Sequence, residues 1–343
     1  VPHQPMPESH ITRIVTDREL PGAPLEGRRV GVIGFGSQGE AQALNLRDSG
    51  VDVSVGLRDG SLSAARARGA GLDVVPIEEA SRADVVALLV PDEAATAVFE
   101  RRVAPVLQSG RTLLFAHGFA LTFGGLEPPS GIDVVLVAPM GPGRILRERY
   151  TEGRGLPAAF AVHADATGRA RETALRYGQA IGCARVGLFE TTVREETEVD
   201  LFAEQAVLVG GVTRLIEAAF DTLVEAGYDP AVAYMECLYE LELTAGLIQR
   251  FGMSGMRRRI SKTALFGDLT RGDRIIGDET RSRMREVLAE IRDGRFASEL
   301  EAGGSAELTS AFERTRRRLL SRVEDDIAPV AHPERDGETG EQT

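Results

Sequence analysis

The sequence predicts an α/β protein in which a Rossmann-type, doubly wound parallel sheet precedes an all-helical domain. Short β-branched runs alternate with helical patterns from residue 28 to about residue 190, as they do in parallel sheets with crossover helices. After Thr191 the periodicity is helical to about Val323, without a convincing strand. The length of 343 residues also exceeds what one hydrophobic core usually serves, which favours two domains.

The predicted strands divide the chain into four parts. We expect an N-terminal extension over residues 1–27, an α/β domain over 28–190, a helical domain over 191–323 and a tail over 324–343. The tail is acidic, contains proline and has few large apolar groups, so we expect it to be disordered. The seven predicted strands lie in RRVGVIG, VDVSVGL, ADVVALLVP, RTLLFAHG, DVVLVAP, LPAAFAVH and ARVGLFE.

Composition excludes several classes of protein. The net charge of -12 disfavours nucleic acid as a partner, because binding to phosphates needs a basic face. The apolar runs are too short to span a bilayer, and the N-terminal segment VPHQPMPESH lacks the pattern of a secretory signal. Cys183 and Cys237 form no disulfide framework and suit a reducing compartment, so we expect a soluble cytoplasmic protein.

A glycine-rich segment joins the first predicted strand to the first helical run. The letters GFGSQG follow RRVGVI directly and precede a helical pattern. In that context the glycines let the backbone approach a pyrophosphate held at a helix N-terminus. The segment therefore predicts a dinucleotide site formed by Gly34, Phe35, Gly36, Ser37, Gln38 and Gly39.

The end of the second strand bears on the choice of cofactor. An NAD enzyme would carry an acidic residue there for the ribose hydroxyls, whereas this chain has Arg58, followed by Ser61 and Ser63. A cation and two hydroxyls suit a 2′-phosphate, so the sequence favours NADPH. Two alternatives stay open: Arg58 is compatible with a solvated surface, and the adjacent Asp59 is compatible with a ribose acceptor.

Four carboxylates form two pairs on predicted helices, Asp200 with Glu204 and Glu236 with Glu240. The i, i+4 spacing puts each pair on one helix face, and the runs ETEVDLFAEQ and MECLYELEL are apolar enough to bury it. Buried carboxylates repel one another unless a cation lies between them, and a hard ion such as Mg2+ matches them best. One pair alone would more simply be solvated surface, but two pairs favour a metal site.

Long segments of the chain resemble one enzyme family. The segments GFGSQGEAQALNLRDSGVDVSVGLR, LLVPDE, FAHGF, APMGPG, ETEVDLFAEQAVLVGG, VEAGYDPAVAYMECLYEL, MRRRIS and TALFGD are similar to short-form (class I) ketol-acid reductoisomerases, from about Arg28 to Arg295. The resemblance implies a Rossmann domain followed by a knotted helical domain, and a homodimer whose sites draw on both subunits. It also implies NADPH and two Mg2+ ions, which serve alkyl migration in a 2-acetolactate-type substrate and reduction of the new ketone, in branched-chain amino acid synthesis.

The resemblance also assigns roles to single residues. Taken alone, His117 is compatible with a satisfied histidine at a strand end, and Ser261 with a helix cap. By resemblance, His117 lies near the cofactor and the metals, Ser261 holds the substrate carboxylate and Glu240 lies near the substrate. The implied sets are the metal ligands Asp200, Glu204 and Glu236, the catalytic positions His117, Met140, Glu240 and Ser261, and the further cofactor contacts Val90, Pro91, His117 and Gly143.

The chain departs from the family at the position of its catalytic lysine. The family pattern A-P-K-G-P-G-H reads APMGPGR here, which places Met140 at the lysine and Arg144 at the histidine. A thioether carries neither a charge nor a transferable proton. The arginine-rich composition does not explain the change, since such a bias would predict arginine at position 140.

Other departures make the implied pocket more apolar. HGFALTF and ISKTALFGD carry Ala120, Thr122, Leu265 and Phe266 in place of mostly polar groups. Lys262 is the only lysine among the 40 basic residues. Its ammonium would either return a charge near Ser261 or face solvent, and the second is the commoner state of lysine.

Together these features lead to one functional hypothesis and two alternatives. We expect an NADPH-dependent reductase of this family that lacks isomerase activity and reduces a small C=O or C=N substrate, such as an imine or iminium, in specialised metabolism. A genuine Mg2+-dependent ketol-acid reductoisomerase is the first alternative. The second is an inactive NADP-binding dimeric scaffold, although a scaffold has no need of four acids.

Overall fold

The chain folds into two compact units. The computed structural model describes residues 12–331, except for the side chains of residues 304–307 and 329–331. The division falls between Val199 and Asp200, inside a helix that the sequence assigns to the second domain. Among the described residues, the first unit contains every strand and the second contains only helices. This arrangement confirms the predicted fold class.

A sheet of nine strands forms the centre of the first unit. The strands are β1 (Ile14–Val15), β2 (Arg29–Ile33), β3 (Asp52–Leu57), β4 (Asp73–Pro76), β5 (Val85–Leu88), β6 (Thr112–Phe115), β7 (Asp133–Pro139), β8 (Ala158–Ala164) and β9 (Leu188–Glu190). Their order in the sheet is β1-β9-β8-β7-β6-β5-β2-β3-β4. Six neighbouring strands, β4-β3-β2-β5-β6-β7, run parallel in the doubly wound order.

All seven predicted strands form, but the sheet is not entirely parallel. Strand β8 pairs antiparallel with β7 and parallel with β9. Strand β1 pairs antiparallel with β9 and lies in the segment expected to be an extension, where Val15, Leu20 and Leu25 are buried. Apolar composition reports burial rather than strand direction, and a two-residue strand has no periodicity to detect. The predicted doubly wound parallel sheet forms in six neighbouring strands, and antiparallel pairs extend it at this end.

Helices cover both faces of the sheet in the first unit. Adjacent strand residues point to opposite faces, so Val32 packs in one core with Leu46 and Tyr177, while Ile33 packs in the other with Phe99. A π-helical turn lies at Phe99–Val103 and 3-10 turns at Asp17–Glu19 and Cys183–Arg185. The α-helices are α1 (Ser37–Asp48), α2 (Ser63–Gly69), α3 (Ile77–Ala80), α4 (Asp92–Val98), α5 (Phe119–Thr122), α6 (Gly143–Thr151), α7 (Ala170–Ala180) and α8 (Val193–Ala203).

The second unit has a small core built around Phe220 and Tyr234, both fully buried. The α-helices of this unit are α9 (Gly210–Glu225), α10 (Pro230–Tyr234), α11 (Glu240–Arg257), α12 (Lys262–Ile275), α13 (Asp278–Arg292), α14 (Arg295–Ala302), α15 (Gly304–Arg316) and α16 (Leu319–Ala331). Two π-helical segments, Glu204–Leu208 and Met235–Tyr239, interrupt the α-helical structure of the unit. Within α11, Gly252 has non-helical backbone angles and kinks the helix.

The predicted tail begins too early. Helix α16 continues to Ala331, and Val323 and Ile327 pack against the core around Phe220 and Tyr234. These two apolar residues are one helical turn apart, so a helix can bury both despite the acidic composition around them. The prediction of disorder is wrong for residues 324–331, and residues 332–343 lie outside the described part of the chain.

Two smaller expectations can also be compared with the described residues. Cys183 is buried, Cys237 is half-buried, and both are free thiols. Burial raises the pKa of the Cys183 thiol to about 12, so it stays protonated at neutral pH. Between residues 12 and 331, no helix is both long enough and apolar enough to cross a membrane.

Candidate functional site

The predicted cofactor and catalytic residues of the first unit follow the carboxyl ends of neighbouring parallel strands. The glycine loop follows β2, Arg58 follows β3, Pro91 follows β5, His117 follows β6 and Met140 follows β7. Parallel strands end at one edge of a sheet, so these residues share that edge. The connections of β2 and β5 diverge there, and such a switch point is where doubly wound sheets bind ligands.

The three glycines of the loop differ in whether the fold requires glycine at their positions. Gly34 has φ +101°, and a Cβ there would lie 2.5 Å from the carbonyl oxygen of Leu89. A Cβ on Gly39 would lie 2.5 Å from the carbonyl oxygen of Gly34, so this glycine lets α1 pack closely on the loop. A Cβ on Gly36 would meet no atom within 4 Å. The fold therefore does not need a glycine at position 36, whereas a pyrophosphate lying on the loop does.

A partly buried chain of hydrogen bonds connects the glycine loop to the loop after β7. Gln38 Nε2 donates to the carbonyl oxygen of Gly141 at 2.9 Å, and Gln42 Nε2 donates to Gln38 Oε1 at 2.9 Å. The Tyr177 hydroxyl donates to Gln42 Oε1 at 2.8 Å, and the side chains of Gln42 and Tyr177 are fully buried. The cofactor loop and the loop that carries Met140 are thus tied to the same core.

Helix α6 packs against α1 beside this chain of bonds. Gly143 N donates to Ser37 Oγ at 3.2 Å, and a Cβ on Gly143 would lie 2.0 Å from the carbonyl oxygen of Ser37. Only glycine permits so close an approach. The structure therefore brings Gly143, which the resemblance names as a cofactor contact, directly against the predicted dinucleotide loop.

The loop after β3 is exposed at the predicted ribose position. Arg58 is exposed, Ser61 N donates to its carbonyl oxygen at 3.1 Å, and Ser63 begins α2. Between the two serines, the Leu62 side chain is 97% exposed. This arrangement is compatible with both the phosphate-binding and the solvated interpretation of Arg58, so its role stays a prediction.

Sequence reasoning missed a residue that supports the glycine loop from outside. Arg66, on α2, donates to the carbonyl oxygen of Phe35 at 3.0 Å and forms an ion pair with Glu40 at 3.1 Å. Its guanidinium also lies over the Phe35 ring, 5.6 Å from the centroid. These contacts are long-range, and an arginine within an arginine-rich helix carries no local signal for them.

His117 is held from two sides. Its Nδ1 lies 3.2 Å from Asp92 Oδ2, at the start of α4, and its ring stacks near Phe119. The next residue, Gly118, lies under α8: a Cβ there would be 2.1 Å from Thr197 Oγ1 and 2.9 Å from a methyl group of Val193. The glycine of the HGF motif therefore lets α8 pack directly on the segment that carries His117.

That packing brings together a candidate metal centre. His117, Glu196 and Asp200 each offer one ligand atom, and these atoms lie within 4.8 Å of one another. Glu196 and Asp200 are one turn apart on α8, which runs without interruption through the division between the units. All three residues are half-buried, and one imidazole with two carboxylates suits a divalent cation. In the described part of the chain no other histidine, cysteine or acidic residues gather this closely.

Glu196 was not among the predicted ligands. Its i, i+4 spacing to Asp200 was visible in EETEVDLF, but the same spacing occurs along any charged helix surface. Only the docking of α8 on Gly118 separates Glu196 from the other acids of that segment. Glu196 is therefore identified by a contact between distant segments and not by a sequence motif.

The other predicted ligands do not join this cluster. Glu204, Glu236 and Glu240 are exposed, so the expectation that apolar neighbours bury both pairs is wrong in this chain. Some of the apolar neighbours are themselves exposed, including Val199 and Leu243. The segment from Glu236 to Glu240 crosses a π-helical turn, where residues four apart do not align as in an α-helix. π-Helical turns are frequent at functional sites, and the roles of these acids stay predictions.

Ser261 and Lys262 open α12. Ser261 Oγ accepts from Ala264 N at 3.1 Å, so the serine caps the helix, as the simpler interpretation of this residue states. The same hydroxyl keeps a proton to donate to a substrate. Lys262 is exposed at the first helical position, while Arg257 and Asp268 form a bidentate ion pair that joins α11 to α12.

Two of the apolar replacements serve the fold rather than a pocket. Ala120 is 2% exposed and belongs to the core below α5. Thr122 Oγ1 lies 3.3 Å from Thr197 Oγ1 and contributes to the docking of α8. Met140 differs from both, because its side chain is 52% exposed at the edge of the sheet.

Family models match nearly the whole chain. The NADPH-binding domain of acetohydroxy acid isomeroreductase matches residues 24–187, and the C-terminal domain of ketol-acid reductoisomerase matches residues 193–328.

Comparison with solved structures agrees with these matches. An NADH-preferring ketol-acid reductoisomerase from an uncultured archaeon is 37% identical, with a TM-score of 0.88 over 93% of this chain and 99% of the other. A putative oxidoreductase from Jannaschia sp. CCS1 is 18% identical, with a TM-score of 0.60 over 80% of this chain and 98% of the other.

A third match is a semialdehyde dehydrogenase NAD-binding protein from Cupriavidus necator, in complex with calcium and NAD. It is 19% identical, with a TM-score of 0.56 over 76% of this chain and 99% of the other, and at this identity it supports the fold alone. The two domain models and the archaeal structure decide the family: the chain is an NAD(P)-dependent oxidoreductase that belongs to the ketol-acid reductoisomerases.

Proposed function

We propose that this enzyme is an NADPH-dependent reductase of a small C=O or C=N substrate, and that it no longer carries out the alkyl migration of its family. The observation behind the proposal is Met140, which occupies the position of the family's catalytic lysine in APMGPGR. An imine or iminium with an apolar body would suit a site that includes Met140, and specialised metabolism would be a fitting setting.

The surroundings of Met140 support a specific loss rather than a damaged loop. Met140 N donates to the carbonyl oxygen of Pro157 at 2.9 Å, and Gly141 N donates to that of Pro139 at 2.9 Å. Gln38 holds Gly141 from the other side. The backbone is therefore well anchored, while the exposed thioether lacks the proton and the charge that migration needs. Losing one general acid or base costs about two to four decades in rate, or roughly 3 to 5 kcal/mol of barrier.

The cations close to Met140 in sequence do not restore that function. Arg144, four residues later, lies 3.5 Å from Glu148 on its own helix, so its charge is at least partly neutralised. A guanidinium also stays protonated at neutral pH and cannot act as an acid and base in turn.

Reduction makes fewer demands on the residues that have changed. When bound, NADPH supplies the hydride, and a divalent cation such as Mg2+ polarises the carbonyl or imine that receives it. The open position at Gly36 and the N-terminus of α1 would bind the pyrophosphate. His117, Glu196 and Asp200 would hold the cation, and the Ser261 hydroxyl would orient a substrate carboxylate.

The decisive experiment compares two substrates that differ by the migration step. Oxidation of NADPH is followed with Mg2+ and either 2-acetolactate or its rearranged isomer, 3-hydroxy-3-methyl-2-oxobutyrate. We expect the rearranged isomer, or an imine from a panel, to be reduced, and 2-acetolactate to react at least about 100-fold more slowly. Met140→Lys should raise turnover of 2-acetolactate, whereas the control Met140→Leu should not.

Other outcomes of this experiment would favour the alternatives. Rapid turnover of 2-acetolactate by the unchanged enzyme would overturn the proposal and identify a genuine ketol-acid reductoisomerase. Identity of 37% to such an enzyme, and the retained cluster at His117, favour this second candidate. Cofactor binding without turnover of any ketone, 2-keto acid or imine would instead indicate an inactive scaffold.

The preference for NADPH depends on the loop after β3. Arg58 is exposed there, close in sequence to the Ser61 and Ser63 hydroxyls, and this set suits a 2′-phosphate. We expect Arg58→Ala to raise KM for NADPH by about tenfold or more and to leave KM for NADH nearly unchanged. The exposed Arg68, on α2, provides a matched control. Equal effects of Arg58→Ala on both cofactors would contradict the assignment.

A homodimer is part of the same proposal. Many large apolar side chains of the second unit are exposed in the single chain, which is unusual for a soluble monomer. Exposed apolar side chains of this unit include Leu208, Leu243, Phe266, Leu269 and Ile275, which are 61 to 64% exposed. Light scattering at several protein concentrations should give the mass of a dimer or a higher homo-oligomer, and a monomer at micromolar concentration would contradict the proposed homodimer.

A further inference from the structure

Asp92 has no role in the functions described so far, yet it contacts the candidate metal centre. It is the first residue of α4, and its Oδ2 lies 3.2 Å from Nδ1 of His117. It follows the N-cap residue Pro91, and its side chain is 43% exposed. The structure gives this carboxylate a contact with the His117 ring, which links the start of α4 to the candidate metal centre.

This contact determines how the imidazole is presented. A carboxylate beside Nδ1 accepts the proton of that nitrogen, which leaves the lone pair of a neutral ring on Nε2. Nε2 of His117 is buried, whereas Asp92 stands on the Nδ1 side of the ring. With Nδ1 facing Asp92, Nε2 is the ring nitrogen whose lone pair remains for a cation.

We propose that Asp92 is a positioning residue that fixes the His117 tautomer and makes Nε2 a ligand of the cation held with Glu196 and Asp200. The inference rests on the cation site of the proposed function and assigns the nitrogen through which the His117 imidazole would bind. Imidazole favours borderline first-row metals over Mg2+, which prefers oxygen. Affinity for an ion such as Co2+ should therefore depend on His117 and Asp92 more strongly than affinity for Mg2+ does.

The experiment measures metal binding without turnover. Co2+ is titrated into the purified enzyme and followed by its visible absorption, while Mg2+ is titrated by calorimetry. We expect Asp92→Ala to weaken Co2+ binding about 10- to 100-fold, the usual effect of removing the partner of a ligating histidine, and to change Mg2+ binding less. Asp92→Asn should retain most of the affinity, because the amide oxygen still accepts from Nδ1.

Three further variants separate positioning from a general loss of charge or structure. Glu93→Ala removes the neighbouring exposed acid from the first turn of the same helix, so it should leave Co2+ affinity unchanged within about twofold. His117→Ala should weaken Co2+ binding at least as much as Asp92→Ala. The double variant should be no weaker than His117→Ala, because two residues that act through one ligand are not additive.

A spectroscopic signature tests the tautomer directly. In the Co2+ complex, the proton on Nδ1 of a histidine bound through Nε2 gives a strongly shifted resonance that exchanges in D2O. We expect this resonance in the unchanged enzyme and in Glu93→Ala, and its loss in His117→Ala. Co2+ binding without it would overturn the role of His117 as a ligand, and equal Co2+ affinity in Asp92→Ala would overturn positioning. Absence of any cation binding would remove the metal site itself and leave the reductase assay to decide the proposed function.

Discussion

Replacing Gly118 with alanine tests whether the docking of α8 assembles the metal centre. The added Cβ would lie 2.1 Å from Thr197 Oγ1, about 1.3 Å short of the 3.4 Å at which ordinary contact begins. Thr197 is fully buried, and its hydroxyl donates to the carbonyl oxygen of Val193 at 2.8 Å. Rotating that side chain away would break this bond, so α8 itself must move.

The expected cost follows from overpacking a buried contact. Gly118→Ala should lower the free energy of unfolding by about 1 to 3 kcal/mol, which corresponds to roughly 2 to 4 °C in Tm for each kcal/mol in a unit of this size. It should also weaken Co2+ binding, because Glu196 is carried on the displaced helix. Differential scanning calorimetry and the metal titration measure the two effects separately.

Two variants provide the controls for Gly118→Ala. A Cβ on Gly69, at the end of α2, would meet no atom within 4 Å, so Gly69→Ala should leave both readouts unchanged. Thr197→Ala in the Gly118→Ala background should recover part of the metal affinity, because it removes the nearest atom. If Gly118→Ala kept full stability and full Co2+ affinity, the close approach of α8 would not be what holds the site together.

Three further predictions concern the cofactor loop, the buried bonds and the pH dependence of stability. Gly36→Ala should leave Tm unchanged and weaken NADPH binding at least tenfold, measured by fluorescence titration, because its Cβ would meet no protein atom and would enter the space in which we expect the pyrophosphate. Tyr177→Phe should cost about 1 to 3 kcal/mol in urea unfolding, because it removes the donor to the buried Gln42 Oε1; a neutral change would show that Gln42 finds another donor. Hydrogen bonds from Arg171 lower the pKa of Glu190 below its ordinary 4.5, so this pair stabilises the fold above that pH, and its contribution is lost as the pH falls through the lower folded-state value. Glu190→Gln should flatten that acid limb of the stability curve by less than about 1 kcal/mol, because both side chains are over a third exposed, and an unchanged acid limb would argue against the pair.

The first unit could be predicted from sequence because its signals are local. Strands β2, β5, β6 and β7 are buried on both faces, so nearly every residue in them is apolar and the run stands out. The glycine loop is equally local, since its turn, its helix start and its preceding strand are consecutive. Strand direction is different, because β8 has the composition of a parallel strand and pairs antiparallel with β7.

The candidate metal centre could be predicted only in part, because it depends on contacts between distant segments. His117 and Asp200 were identified from motifs, and they meet in the structure. Glu196 and Asp92 were missed, since each is distinguished only by which strand end or helix it lies against. The exposure of Glu236 and Glu240 also could not be predicted from their apolar neighbours, because some of these, such as Leu243, are exposed as well.

The bond from Gln38 to Gly141 has a consequence for how this enzyme diverged. It joins the glycine loop to the loop that carries Met140, so a backbone change in one loop would disturb the other. The backbone at position 140 is also held by its bond to Pro157, so an exchange of the exposed side chain there leaves that support in place. For that reason the single substitution Met140→Lys is a suitable test of whether the alkyl migration can be recovered, because the backbone that carries residue 140 is still anchored.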